Sequence, residues 1–101
     1  MLDCRITAIR RSRYQDLIDK YENPIDDACS IEVGQEFLSV NAQKPAGFCD
    51  SAWETLRPFV ERLAVGETGL FDHWLKNERS VILSCNDGLR PVSFLVEAVK
   101  K

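Results

Sequence analysis

The stretch that most narrows the possible folds is the last quarter of the chain. Residues 80–85 and 90–99 are rich in β-branched and other apolar side chains, and Asn86-Asp87-Gly88-Leu89 between them has the composition of a hairpin turn. Whether the loop is Asp87-Gly88 or all four residues, the pairing sets Cys85 against Arg90, Leu83 against Val92 and Val81 against Phe94, with Val96 extending one apolar face. A slip of one residue would turn Leu89, Pro91 and Ser93 onto that face, because side chains alternate along a strand. The expected consequence is that Cys85 and Arg90 stand side by side on the core face at the hairpin tip.

Ahead of the hairpin, Leu2, Cys4, Ile6 and Ala8 alternate with Asp3, Arg5 and Thr7, which predicts a half-buried strand with Cys4 toward the core. Ser12-Arg13-Tyr14-Gln15 has capping-box spacing, and Tyr14, Leu17, Ile18 and Tyr21 recur at helical intervals. They predict a short helix over 13–22 that Asn23-Pro24 stops. Residues 24–30, with Asp26, Asp27, Ala28 and Ser30, read as a loop carrying Cys29 near its end. Residues 31–40 read as a second strand region, interrupted at Gly34 by a turn or bulge and anchored by Phe37. Residues 41–50, with Pro45 and Gly47, form a connection of the length that compact domains more often use for function.

Ser51-Ala52-Trp53-Glu54 has the S-x-x-E form of a capping box and predicts the start of the central helix. Ala52, Trp53, Leu56, Phe59, Val60, Leu63 and Ala64 share one broad stripe, with Glu54, Arg57, Glu61 and Arg62 opposite. Pro58 inside the run predicts a kink, or two short helices that meet there, and Gly66 is a natural stop. Leu70, Phe71, Trp74 and Leu75 have the spacing of a short helix packed by two aromatics. His73 lies between them, a single histidine outside any metal-ligand or catalytic motif, so it reads as a surface or second-layer residue rather than a ligand.

These elements predict one α+β domain over residues 1–101, a length too short to divide. Its sheet is expected to be mostly antiparallel, with about four strands at 2–10, 35–41, 79–85 and 90–99, and two or three helices covering one face. A formal charge of −3 and a pI near 5.1 argue against nucleic acid as a partner. Arg5, Arg10, Arg11 and Arg13 read as a solvated face balanced by Asp16, Asp19 and Glu22. The N-terminus lacks the apolar stretch of a signal peptide, and no apolar run approaches the roughly 18 residues of a membrane span. A cytoplasmic protein with no membrane partner and mostly reduced cysteines is therefore expected. An open sheet edge makes a homodimer the expected assembly, if there is one.

Two constellations carry chemistry. Cys49 lies at the predicted start of the central helix, where open N–H groups and the helix dipole favour a thiolate. Together with Cys85 and an inward Arg90, it outlines a site for a small anionic ligand or a segment of a protein partner. An inward arginine needs an acceptor, either such a ligand or a loop carboxylate such as Asp50 or Asp87. The site suits an accessory binding module, and alternatively a thiol-dependent enzyme or redox protein with Cys49 as the reactive group. A third reading gathers Cys4, Cys29, Cys49 and Cys85 around a metal, but their separations lack the close pair that structural metal sites usually contain. No glycine-rich phosphate loop, H-E-x-x-H or G-x-S-x-G motif is present.

Gly34-Gln-Glu-Phe37, Pro45-Ala-Gly-Phe-Cys49 with Ala52-Trp53, and Cys85-Asn-Asp-Gly-Leu-Arg-Pro-Val92 occur in that order. In this the chain resembles a family of small uncharacterised prokaryotic proteins with G-x-x-F, P-x-G-F-C-x-x-A-W and C-x-D-G-x-R-P-V motifs. The resemblance spans Cys4 to Phe94 and implies no activity. Many members of that family resemble one another in a paired cysteine before the D-G turn; here that position is Ser84. The difference implies that no vicinal dithiol operates and that Ser84 faces away from the site.

Overall fold

A computed structural model describes residues 1–24 and 29–99. The reading of Asp26, Asp27 and Ala28 as part of a loop lies outside the described residues. In chain order the described elements are β1 (Asp3–Arg11), α1 (Gln15–Tyr21), β2 (Glu36–Ser39), α2 (Asp50–Ala64), β3 (Ser80–Ser84) and β4 (Val92–Val99). The strands form one sheet in the order β2-β1-β4-β3, with every neighbouring pair antiparallel. The class is α+β, as the sequence pattern predicts. No helix among the described residues is long and apolar enough to cross a membrane.

The alternation in β1 sends Cys4, Ile6 and Ala8 inward with no exposed surface, beside Val81 of β3 and Val92, Phe94 and Val96 of β4. The apolar stripe of α2 lies across this face, burying Ala52, Trp53, Leu56, Val60, Leu63 and Ala64. Each large apolar side chain enclosed in this way contributes roughly 1.5–3 kcal/mol of transfer free energy. Phe48 ties the 41–50 connection to the same core. Its ring meets Phe37 edge-on at 4.9 Å, Trp53 at 6.3 Å and Phe94 at 5.4 Å. Gly34, at φ +95°, turns the chain into β2, and its N–H donates to the Ala8 carbonyl. Only a residue without a Cβ enters that region of φ at little cost.

Neither capping box forms. Helix α2 begins at Asp50 with Cys49 in the cap position and no side-chain capping bond, so the cap lies two residues before Ser51, directly after the core-anchored Phe48. In α1 the cap is Tyr14, while Gln15 accepts from Arg13 Nε at 2.8 Å and donates to Asp19 Oδ1 at 2.7 Å. One helix runs through Pro58 rather than two meeting there. Pro58 and Glu54 both lie on the exposed side, so the bond that the proline cannot make is missing from the solvent face of the helix rather than from the core.

Residues 70–73 form a turn and 74–75 are irregular, in place of the expected short helix. Asp72 and His73 are left-handed at φ 50° and 61°, a conformation that ends a right-handed helix, and Trp74 is 80% exposed. Phe71 does pack, against Phe59 at 5.4 Å. His73 is exposed and has a carboxylate partner, with Nδ1 lying 2.9 Å from Glu78 Oε2. Helix α1 does not share in covering the sheet. It sits beside the 86–91 loop, where Tyr14 N–H donates to the Leu89 carbonyl and Ser12 N–H to that of Pro91.

The β3–β4 register differs from the expected one by two residues. Leu83 pairs with Phe94, Val81 with Val96 and Ser84 with Ser93, and Cys85 faces Val92 rather than Arg90. A shift of two keeps every side chain on its own face, so the apolar pattern is equally satisfied by either pairing. The loop decides between them. Asp87 Oδ1 accepts the N–H groups of Leu89 at 2.8 Å and Arg90 at 3.1 Å, forming a wider six-residue connection over 86–91 instead of a two-residue turn at Asp87-Gly88.

Candidate ligand-binding cavity

Three segments far apart in sequence meet at the start of α2. Cys29 lies between α1 and β2, Cys49 and Ser51 flank the first residue of the helix, and Cys85, Asn86 and Arg90 come from the hairpin end; together they line a cavity of about 280 Å³. Pockets for small molecules begin near 300 Å³, so this one suits a small guest. The cavity brings together Cys49, Cys85 and Arg90, the three residues singled out from sequence, although Cys85 and Arg90 are separated by the loop and do not form a cross-strand pair.

Cys49 is exposed and occupies the cap position of α2. Cys85 is half-buried and held on both sides. Its N–H donates to the Val92 carbonyl at 3.0 Å, and the Val92 N–H donates to its Sγ at 3.3 Å. The Cys85 carbonyl accepts instead from Ser84 Oγ at 2.8 Å. Ser84 itself is exposed and points away from the cavity side, as alternation predicts.

Arg90 turns inward and finds a carboxylate. Its Nη1 and Nη2 donate to Glu22 Oε2 and Oε1 at 2.9 and 2.6 Å, a two-pronged pair whose side chains are only 11% and 15% exposed. Asp87, one of the two acceptors suggested by sequence, uses Oδ1 on backbone N–H groups, and the other, Asp50, pairs with Lys44. Glu22 was overlooked because it sits in a run of surface charge just past α1. The signal that could have found it was the requirement of an inward guanidinium for a partner.

Cys4 does not share the cavity. It lies in the core with its thiol directed at the Val60 carbonyl at 3.8 Å, and burial, with a smaller contribution from the charge of Asp3, pushes its pKa up to about 11. The four-cysteine metal arrangement is thus split, with three thiols around the cavity and the fourth under α2. Among the described residues no group of three His, Cys, Asp or Glu side chains is placed to hold a metal ion. Cys29 entered the sequence reading as a member of that set alone; its place on the cavity wall depends on its closeness to residues 47–52, far along the chain, which no local pattern encodes.

Comparison with protein-family models, with curated proteins and with solved structures found no match to the chain.

Proposed function

We propose that the protein is an accessory or binding module that holds a small ligand in the cavity between Cys49, Cys85 and Arg90. The observation that carries this reading is the convergence of residues 29–31, 47–52 and 85–90 on one cavity. The Arg90–Glu22 pair fixes one part of its wall. Both terminal nitrogens of Arg90 already serve Glu22, so an anion would have to share the guanidinium with that carboxylate. A small guest with a mainly apolar body, bonded at its polar ends to groups such as Ser51 and Asn86, matches the wall better. A cytoplasmic setting, where thiols stay reduced, belongs to the same reading.

The test is an amide NMR titration of the reduced protein with acetate, inorganic phosphate and 1,6-hexanediol as separate probes. Shifts grouped at residues 29–31, 47–52 and 85–90 are expected, larger with the diol than with either anion. Shifts that are absent with all three probes, or scattered over the surface, would overturn the assignment.

A further inference from the structure

The three cavity thiols differ in how they are held. Cys49 is the more exposed, at a helix start, whereas Cys85 is half-buried with its sulfur fixed by the Val92 N–H at 3.3 Å. That donor is the one that would ordinarily return to the Cys85 carbonyl and complete the pair between the two strands. Ser84 Oγ occupies the carbonyl instead, and the ladder's N–H is left to the sulfur. A backbone N–H aimed at sulfur meets a lone pair and restricts the side chain to one orientation. Attack by sulfur depends on orientation and on access, and the cavity supplies access from a defined side.

We propose that the cavity is a thiol–disulfide exchange site, with Cys85 as the attacking sulfur and a small, uncharged disulfide as its reactant. The proposal rests on the cavity being the binding site, and it adds the ligand's chemical class and the reacting atom. Cys85 gives its proton to water, and its sulfur then attacks one sulfur of the bound disulfide. The new S–S bond forms as the old one breaks. Cys85 sulfur is oxidised, the departing sulfur is reduced, and the departing thiolate takes a proton from water. The products are a mixed disulfide on Cys85 and one equivalent of small thiol, and no other oxidant is required. The size of the cavity limits the guest to one of a few non-hydrogen atoms on each side of the disulfide.

The test treats the reduced full chain with hydroxyethyl disulfide and follows each cysteine by quenched peptide mass spectrometry. Cys85 is expected to acquire the adduct at least about tenfold faster than Cys49, reversing the order of their exposure. Val92→Pro, which removes the N–H bonded to sulfur, should slow the Cys85 adduct toward the rate of an unfolded cysteine; its fold is checked by circular dichroism, and the wild-type rates stand by themselves if it fails. Adduct forming first on Cys49, or equally on all three cavity thiols, would overturn the proposal. 1,6-Hexanediol has the same chain length as the disulfide, with carbons in place of both sulfurs, and so separates chemistry from binding. If the diol shifts the cavity amides while Cys85 shows no preference, binding stands and exchange falls. If neither occurs, both fall.

Discussion

Arg90 and Glu22, 68 residues apart, form a two-pronged ion pair that joins the hairpin loop to the end of α1. The pair is more enclosed than Arg5–Glu97, Arg57–Glu61 or Arg62–Glu67, whose charged groups face water. Exposed pairs contribute at most about 1 kcal/mol, whereas removing one member of an enclosed pair strands the other. Glu22→Gln should therefore lower the unfolding free energy by about 1–3 kcal/mol, measured by urea denaturation at unchanged m-value. Adding Arg90→Met should recover part of that loss. A loss under about 0.5 kcal/mol would show that the pair behaves as a surface pair despite its enclosure.

The thiol of Cys4 makes stability depend on pH at the alkaline end. Its pKa is raised to about 11 in the folded protein from 9.0, so the folded state holds the proton more tightly than the unfolded chain does. The stabilising contribution is complete below pH 9 and is lost as pH rises through about 11, with a slope of up to about 1.4 kcal/mol per pH unit. Cys4→Ala should cost about 1 kcal/mol at neutral pH for the lost packing. It should also flatten the decline between pH 9 and 11 relative to wild type. Parallel curves for the two proteins would remove Cys4 as the cause.

Asp87 holds the loop that carries Arg90 to the cavity. Asp87→Ala removes the acceptor of two backbone N–H groups and should destabilise the protein by about 1–2 kcal/mol. Hydrogen exchange at Leu89 and Arg90 should accelerate more than exchange within β3 and β4. Asp87→Asn, which keeps a side-chain oxygen, should preserve most of the protection. Unchanged exchange at both amides in the alanine variant would show that the loop is held by its bonds to residues 12–14 instead.

Much of the fold was legible because local physics repeats along the chain. Alternation in β1 and β4 and the stripe of α2 each encode a buried face, and these faces agree with one another in a single α+β core. The errors arose where a local signal was ambiguous or was overruled. Ser51-x-x-Glu54 and Ser12-x-x-Gln15 have the right spacing for caps, yet the helix starts are set by Phe48 in the core and by the backbone bond from Tyr14 to Leu89. Leu70, Phe71, Trp74 and Leu75 have helical spacing, but two left-handed residues among them turn Trp74 outward.

The sequence by itself determined which face of each strand and of α2 is buried, because side-chain direction follows from a period of two or of 3.6 residues. It also marked Cys49, Cys85 and Arg90 as residues worth bringing together, through their positions at a helix start and a hairpin end. Tertiary structure alone decided the two-residue register of the hairpin, since pairings that differ by two leave the same faces buried and are separated by the Asp87 bonds within the loop and by the loop's backbone bonds to Ser12 and Tyr14. It alone decided that Glu22 answers Arg90, that Cys29 joins the cavity and that Cys4 stays under α2. Each of these depends on distances between segments separated by tens of residues, and a pattern confined to neighbours carries no information about them.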